Sequence, residues 1–140
     1  MSGRPFSGSW TASGTRHAIP TASGQAAIVR MSGTIVLTSG QLGRGFRAEA
    51  IAFDDGETAG VGRAVWVDGG GDRIYSELHV EPIGTGRRIT GTITAGTGRY
   101  AGASGDYTFT WRYVVTPGGS EVQGHTTDLA GRVVIGRGPS

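Results

Sequence analysis

Hydrophobic and polar residues alternate along most of this chain with a period of two, and short glycine-rich segments interrupt the alternation. A period of two places successive side chains on opposite faces of a strand, whereas an amphipathic helix needs apolar residues every three or four positions. Helical spacing is hard to find anywhere in the sequence. The pattern therefore predicts an all-β protein.

The interruptions divide the chain into about eight strands joined by short connections. Residues 15–24, which include Pro20, are predicted to be a connection, and Gly33 marks a bend or a bulge. Gly69-Gly70-Gly71 predicts a β-hairpin. The predicted strands cover residues 7–15, 25–38, 44–54, 60–68, 72–81, 88–95 and 106–115, and two short strands follow at 121–126 and 129–135. An even number near eight allows an antiparallel up-and-down meander to close into a β-barrel with a central cavity.

The composition predicts one small domain with neither disulfide bonds nor a thiolate metal site. The 140 residues include 27 glycines and no cysteine. The 13 basic residues are scattered, with Arg87-Arg88 the only adjacent pair, and this distribution does not predict a nucleic-acid-binding surface. No apolar run is long enough to span a membrane, and residues 1–6 lack the apolar core of a signal peptide. We expect a cytoplasmic protein without membrane contact.

Gly8-Ser9-Trp10 on the first predicted strand resembles the Gly-x-Trp signature of lipocalin-like and avidin-like barrels. In those families the tryptophan plugs one end of the barrel, and a basic residue from the last strand crosses over it. The resemblance assigns that basic role to Arg132.

Residues 89–105 read Ile-Thr-Gly-Thr-Ile-Thr-Ala-Gly-Thr-Gly-Arg-Tyr-Ala-Gly-Ala-Ser-Gly, and an aromatic strand follows. This segment resembles the strand, turn and strand of allene oxide cyclase-like and dirigent-like barrels of the calycin type. Its glycines permit a compact turn, and Tyr100 can bury its ring as an anchor between strands. The resemblance implies a barrel that binds a hydrophobic small molecule, and in many members steers a cyclisation or a radical coupling by holding one conformer. It transfers no catalytic residue to this chain.

An aromatic strand face is the candidate ligand-binding wall. Tyr107, Phe109, Trp111 and Tyr113 share one face of the strand at 106–115, and we add Trp66 from the strand Gly60–Asp68. Large rings with polar tips line many small-molecule pockets. An ordinary packed core is the equal alternative.

Glu49 is a candidate acid or base, because it shares a strand face with Ile51 and Phe53. An inward-facing carboxylate would have a raised pKa suited to proton transfer. In the opposite orientation Ala48, Ala50 and Ala52 face inward and Glu49 is solvated. The second orientation is favoured, because glutamate is seldom buried.

Tyr75, Glu77 and His79 share one face of the strand at 72–81, opposite the face of Ile74, Leu78 and Val80. They form a second candidate catalytic set. An inward-facing set would provide a base, an acid and an orienting group. Alternation favours the outside for these three side chains, because Ile74, Leu78 and Val80 are the natural core residues. On the outside they would line an oligomer interface or the mouth of the barrel.

The sequence predicts no metal site and no cofactor, because His17, His79 and His125 lack ligand spacing. It also lacks a Gly-x-Ser-x-Gly nucleophile elbow. The leading hypothesis is an isomerase or cyclase that acts on a hydrophobic biosynthetic intermediate by conformational control with acid or base assistance. The alternative is a non-catalytic carrier or sensor of a lipophilic metabolite, and a structural barrel with a filled interior and an oligomerisation role is a third.

Overall fold

The computed structural model describes residues 4–22, 24–39, 42, 44–54, 60–83, 86–115 and 121–135. Eight antiparallel strands follow one another around the barrel, and β1 closes it by pairing with β8. The strands are β1 (Arg4–Thr21), β2 (Gly24–Ser39), β3 (Gly45–Asp54), β4 (Gly60–Asp68), β5 (Arg73–Ile83), β6 (Gly86–Gly96), β7 (Ser104–Val115) and β8 (Glu121–Val134), with a short 3-10 turn at Gly98–Tyr100. The predicted fold class is confirmed, and the closed barrel is compatible with a calycin-type fold.

The first strand is longer than the sequence predicts. Residues 15–24 are not a connection, because β1 pairs with β2 as far as Thr21. The described pairing of β1 with β8 ends at Thr15, which lies opposite Glu121. Beyond Thr15 no described residue pairs with that side of β1, so Pro20 can sit in the strand although it lacks an N–H group.

The last strand corrects a second prediction, since the two short strands at 121–126 and 129–135 form the single strand β8. The pairing of β1 with β8 shifts by one residue between Gly8 and Trp10, which marks a bulge in β8. Asp128 supports this bulge by accepting hydrogen bonds from the Thr110 amide at 2.9 Å and the Thr126 hydroxyl at 2.6 Å. The polar interruption in the sequence is therefore a bulge within one strand.

The β4–β5 hairpin and the turn before β7 close one end of the barrel together. The predicted hairpin is confirmed: the Asp68 amide donates to the Asp72 carbonyl at 2.9 Å, and Gly71 has a φ of 89°. The Tyr100 ring is buried, and its hydroxyl donates to the Asp68 carboxylate at 2.7 Å. The Tyr100 anchor predicted from the sequence thus covers this end of the core.

Glycines bring neighbouring strands and rings close together inside the barrel. Pairing runs unbroken through Gly33, where an added Cβ would collide with the backbone of Thr11 and Ala12. The Tyr107 ring occupies the space that a side chain at Gly91 would need. Gly33 therefore allows a close approach of strands, and the unbroken pairing shows that the predicted bulge is wrong at this position, while the predicted bend stays a prediction.

Candidate functional site

The interior of the barrel is an aromatic cluster contributed by several strands. Each ring is less than one-tenth exposed. The ring centroids of Trp66 and Tyr107 are 4.8 Å apart, and those of Trp10 and Trp111 are 5.0 Å apart. Phe109 packs edge-on against Trp10 with centroids 5.8 Å apart. Of the two interpretations of the aromatic face, this packing corresponds to a packed core.

A cavity of about 20 Å³ lies within this core. The aromatic side of the cavity is formed by Trp10, Trp66, Tyr107 and Phe109, and three small side chains on β3 and β4 also line it: Ala48, Ala50 and Ala64. A volume of this size holds about one water molecule, whereas small-molecule pockets usually measure about 300 to 1,000 Å³. The interior cavity lined by these described residues is therefore too narrow to hold a small-molecule ligand.

Three buried polar atoms in the interior have no hydrogen-bond partner among the described residues: Trp10 Nε1, Ser76 Oγ and the Tyr107 hydroxyl oxygen. Burying such a group without a partner costs about 1 to 3 kcal/mol. Ser76 was not singled out from the sequence, although it is the one polar residue on the Ile74, Leu78 and Val80 face of its strand. That interruption of an apolar face is the signal that would have identified it.

The Tyr107 hydroxyl is an interior group with a clear electrostatic perturbation. Burial raises the pKa of Tyr107 to about 12, while the nearby Ser76 hydroxyl and Trp66 indole oppose the increase. Neither neighbour lies in good hydrogen-bond geometry with the phenol. Tyr107 therefore remains protonated at neutral pH and can donate a hydrogen bond.

The ionisable candidates face outward. Glu49, Glu77 and His79 are exposed on the outer wall, Tyr75 is half-buried there, and Ala48 faces inward. The favoured orientation is the one observed for both strands, on the rarity of buried glutamate for Glu49 and on alternation for the strand at 72–81. The inward-facing catalytic set of base, acid and orienting group is therefore not formed. Glu49 and Tyr75 instead border the same outer groove.

The Gly-x-Trp resemblance and the predicted role of Tyr113 have different outcomes. Trp10 points into the barrel as the Gly-x-Trp resemblance implies, but Arg132 is exposed on the outer wall and does not cross over it. The alternation of β8 places the neighbouring Val133 inward instead. The fourth aromatic candidate, Tyr113, has a side chain outside the described residues, so its predicted role stays a prediction.

Within the described ranges, no group of three metal-ligating side chains occurs, and no helix is long and apolar enough to cross a membrane. Comparison of the chain with protein-family models, with curated proteins and with solved structures gives no match. The candidate site thus consists of the aromatic interior and its three unpartnered polar atoms.

Proposed function

We propose that the protein binds a hydrophobic small molecule carrying one hydrogen-bond-accepting group inside the barrel, as a carrier or sensor. The observation that supports this is the set of unpartnered polar atoms in an otherwise apolar interior. An indole N–H can only donate, and the protonated Tyr107 phenol is also a donor. A ligand carbonyl oxygen within reach of the Tyr107 hydroxyl would accept a hydrogen bond from it.

Ligand binding on this proposal requires the aromatic core to rearrange, because the cavity of about 20 Å³ is far smaller than a ligand. Ala48, Ala50 and Ala64 leave the β3–β4 side of the interior lined by small groups. Movement of the aromatic rings toward or away from these three alanines would change the volume of the cavity. All three tryptophans of the chain, Trp10, Trp66 and Trp111, lie in the interior, so their fluorescence reports on it alone.

The test is a fluorescence titration of the purified protein with a hydrophobic aryl ketone and with the hydrocarbon of the same shape. We expect saturable changes in tryptophan emission and tighter binding of the ketone by about two- to tenfold, which corresponds to one hydrogen bond. Tyr107→Phe should abolish that preference, and the outer-wall control Tyr75→Phe should keep it. Absence of a saturable response, or equal affinities in the unsubstituted protein, would overturn the proposal.

An isomerase or cyclase is the second candidate, and Tyr107 is the observation that favours it. A neutral phenol in an apolar interior stabilises negative charge that develops on a carbonyl oxygen during enolisation or cyclisation. The resemblance of residues 89–105 to allene oxide cyclase-like barrels supports the same chemistry. Incubation with the bound ketone followed by mass spectrometry and chiral chromatography distinguishes the two functions. Recovery of unaltered ligand favours the carrier, and a rearranged product favours the enzyme.

A further inference from the structure

The outer wall formed by β2, β3 and β4 carries a contiguous group of exposed apolar side chains, here named the apolar patch. It consists of Ile28, Ile51, Phe53 and Val61, which are 51%, 52%, 48% and 58% exposed. Phe53 pairs with Ile28 on one side and with Val61 on the other, and Ile51 lies two residues away on the same strand. These four side chains are therefore neighbours on one surface.

The other side of the barrel has a different character. No large hydrophobic residue is exposed on the described parts of β5 to β8. The exposed positions on the described parts of β6 and β7 carry charged, polar or small residues, namely Arg88, Thr92, Thr94, Ala95, Ser104, Asp106 and Thr108. Isolated exposed hydrophobic residues are ordinary, but a contiguous patch confined to one wall marks an interaction surface.

Charges of both signs border the apolar patch. Ile51 lies between Arg30 and Arg63 in the strand register, and Arg63 is opposite Glu77 on β5. Glu49 precedes Ile51 by two residues on the same face. None of these four charged side chains forms an ion pair with another described residue. The border therefore presents to a partner charged groups that have no ion pair among the described residues, although Arg63 donates a hydrogen bond to the Gly62 carbonyl at 2.8 Å.

A groove of about 320 Å³ adjoins the patch on the outer wall. Its sides include Arg30, Glu49, Ile51, Arg63 and Tyr75. A groove next to a protruding ring such as Phe53 permits reciprocal insertion, in which each copy of a surface supplies both the ring and the groove. This is the property required of a two-fold interface.

We propose that the apolar patch packs against the apolar patch of a second copy of this chain. A second copy fits the charges because the border of each copy carries two arginines and two glutamates, and so offers partners of opposite sign to the charges of the other copy. Half-exposed side chains of this size present on the order of 100 Å² each, so the four supply about 400 Å². A stable interface buries about 800 Å² per partner, and the charged border and groove supply the remainder.

The first experiment measures the mass of the full chain by analytical ultracentrifugation across a range of concentrations. We expect a reversible dimer, and Ile51→Glu should raise its dissociation constant more than tenfold because it buries like charges against each other. The control is Val36→Glu, since Val36 is equally exposed at 48% but lies outside the patch, opposite Ser9 and Gly45. A monomer at every concentration, or equal weakening by the two substitutions, would overturn the proposal.

The second experiment reverses the charges of the border. The variant R30E/R63E has an acidic border, and the variant E49R/E77R has a basic one. Each alone should dimerise more weakly than the unsubstituted protein, and an equimolar mixture should restore association as a heterodimer. Circular dichroism of each variant confirms that it is folded. Folded variants whose mixture associates no better than either alone would contradict pairing between copies of this surface.

Discussion

Replacement of Tyr107 by phenylalanine tests whether its hydroxyl is unpartnered in the unliganded protein. The hydroxyl is buried without a hydrogen bond from any described residue, and burial costs such a group about 1 to 3 kcal/mol. Tyr107→Phe removes that cost and keeps the ring that packs against Trp66 at 4.8 Å. We expect the free energy of unfolding to rise by about 1 kcal/mol, equivalent to a melting temperature about 4 °C higher for a domain of this size.

The difference between the two proteins should also depend on pH. Burial raises the pKa of Tyr107 to about 12 from an ordinary value of 10.0. The folded state holds this proton more tightly than the unfolded state does. The stability that the protein gains from having Tyr107 protonated, relative to the ionised form, is therefore complete below pH 10. It is lost as pH rises from 10 to 12, at about 1 kcal/mol per pH unit. The advantage of Tyr107→Phe should therefore increase between pH 9 and pH 11.

Urea unfolding at pH 7, 9 and 11, followed by tryptophan fluorescence and circular dichroism, measures both effects. Tyr75→Phe is the matched control, because Tyr75 is a tyrosine on the outer wall, where substitutions usually change stability by less than about 0.5 kcal/mol. Destabilisation of Tyr107→Phe by more than about 1 kcal/mol at pH 7 would show that the hydroxyl has a partner in the folded protein. That result would remove the main support for an interior ligand group.

Two further predictions concern packing and the closed end of the barrel. Gly91→Ala should lower the free energy of unfolding by about 1 to 3 kcal/mol, because the added Cβ would overlap the Tyr107 ring. The control Gly45→Ala places its Cβ where no atom lies within 4 Å, so it should change the free energy of unfolding by less than about 0.5 kcal/mol. Equal urea midpoints for the two variants would contradict this packing. Tyr100→Phe should cost about 1 to 2 kcal/mol at pH 7, because the hydrogen bond from Tyr100 lowers the pKa of Asp68. That contribution is present above pH 4 and is lost in acid, so the two proteins should converge in unfolding experiments near pH 2, and a constant difference would refute the linkage.

Alternation in the sequence was sufficient to predict the architecture and most strand positions. β4 has the predicted bounds, and the hairpin at residues 69–71 was identified from its glycines alone. The errors occur where pairing with neighbours overrides local signals. Pro20 was interpreted as part of a connection, yet it lies within β1 and pairs with Gln25 of β2. The interruption near Asp128 was read as a strand end, yet side-chain hydrogen bonds hold it as a bulge.

The candidate site divides in the same way. The aromatic residues of the strand at 106–115 could be located on one face from the sequence, and the solvated orientation of Glu49 followed from the rarity of buried glutamate. Sequence could not show whether the rings enclose a pocket or fill the core, because that depends on how residues from different strands meet across the barrel. Ser76 and Trp10 come from β5 and β1, and only barrel closure brings unpartnered groups such as these into one interior.

The sequence by itself determined an all-β barrel, because a period of two is a local property of each strand and the glycine-rich turns punctuate it. The tertiary structure alone decided that the interior is nearly full, that Tyr107 is a buried and protonated donor, and that Ile51 and Phe53 form part of a surface patch. These properties depend on contacts between residues distant in the chain. Strand register and barrel closure create those contacts, and the alternation within any single strand predicts neither.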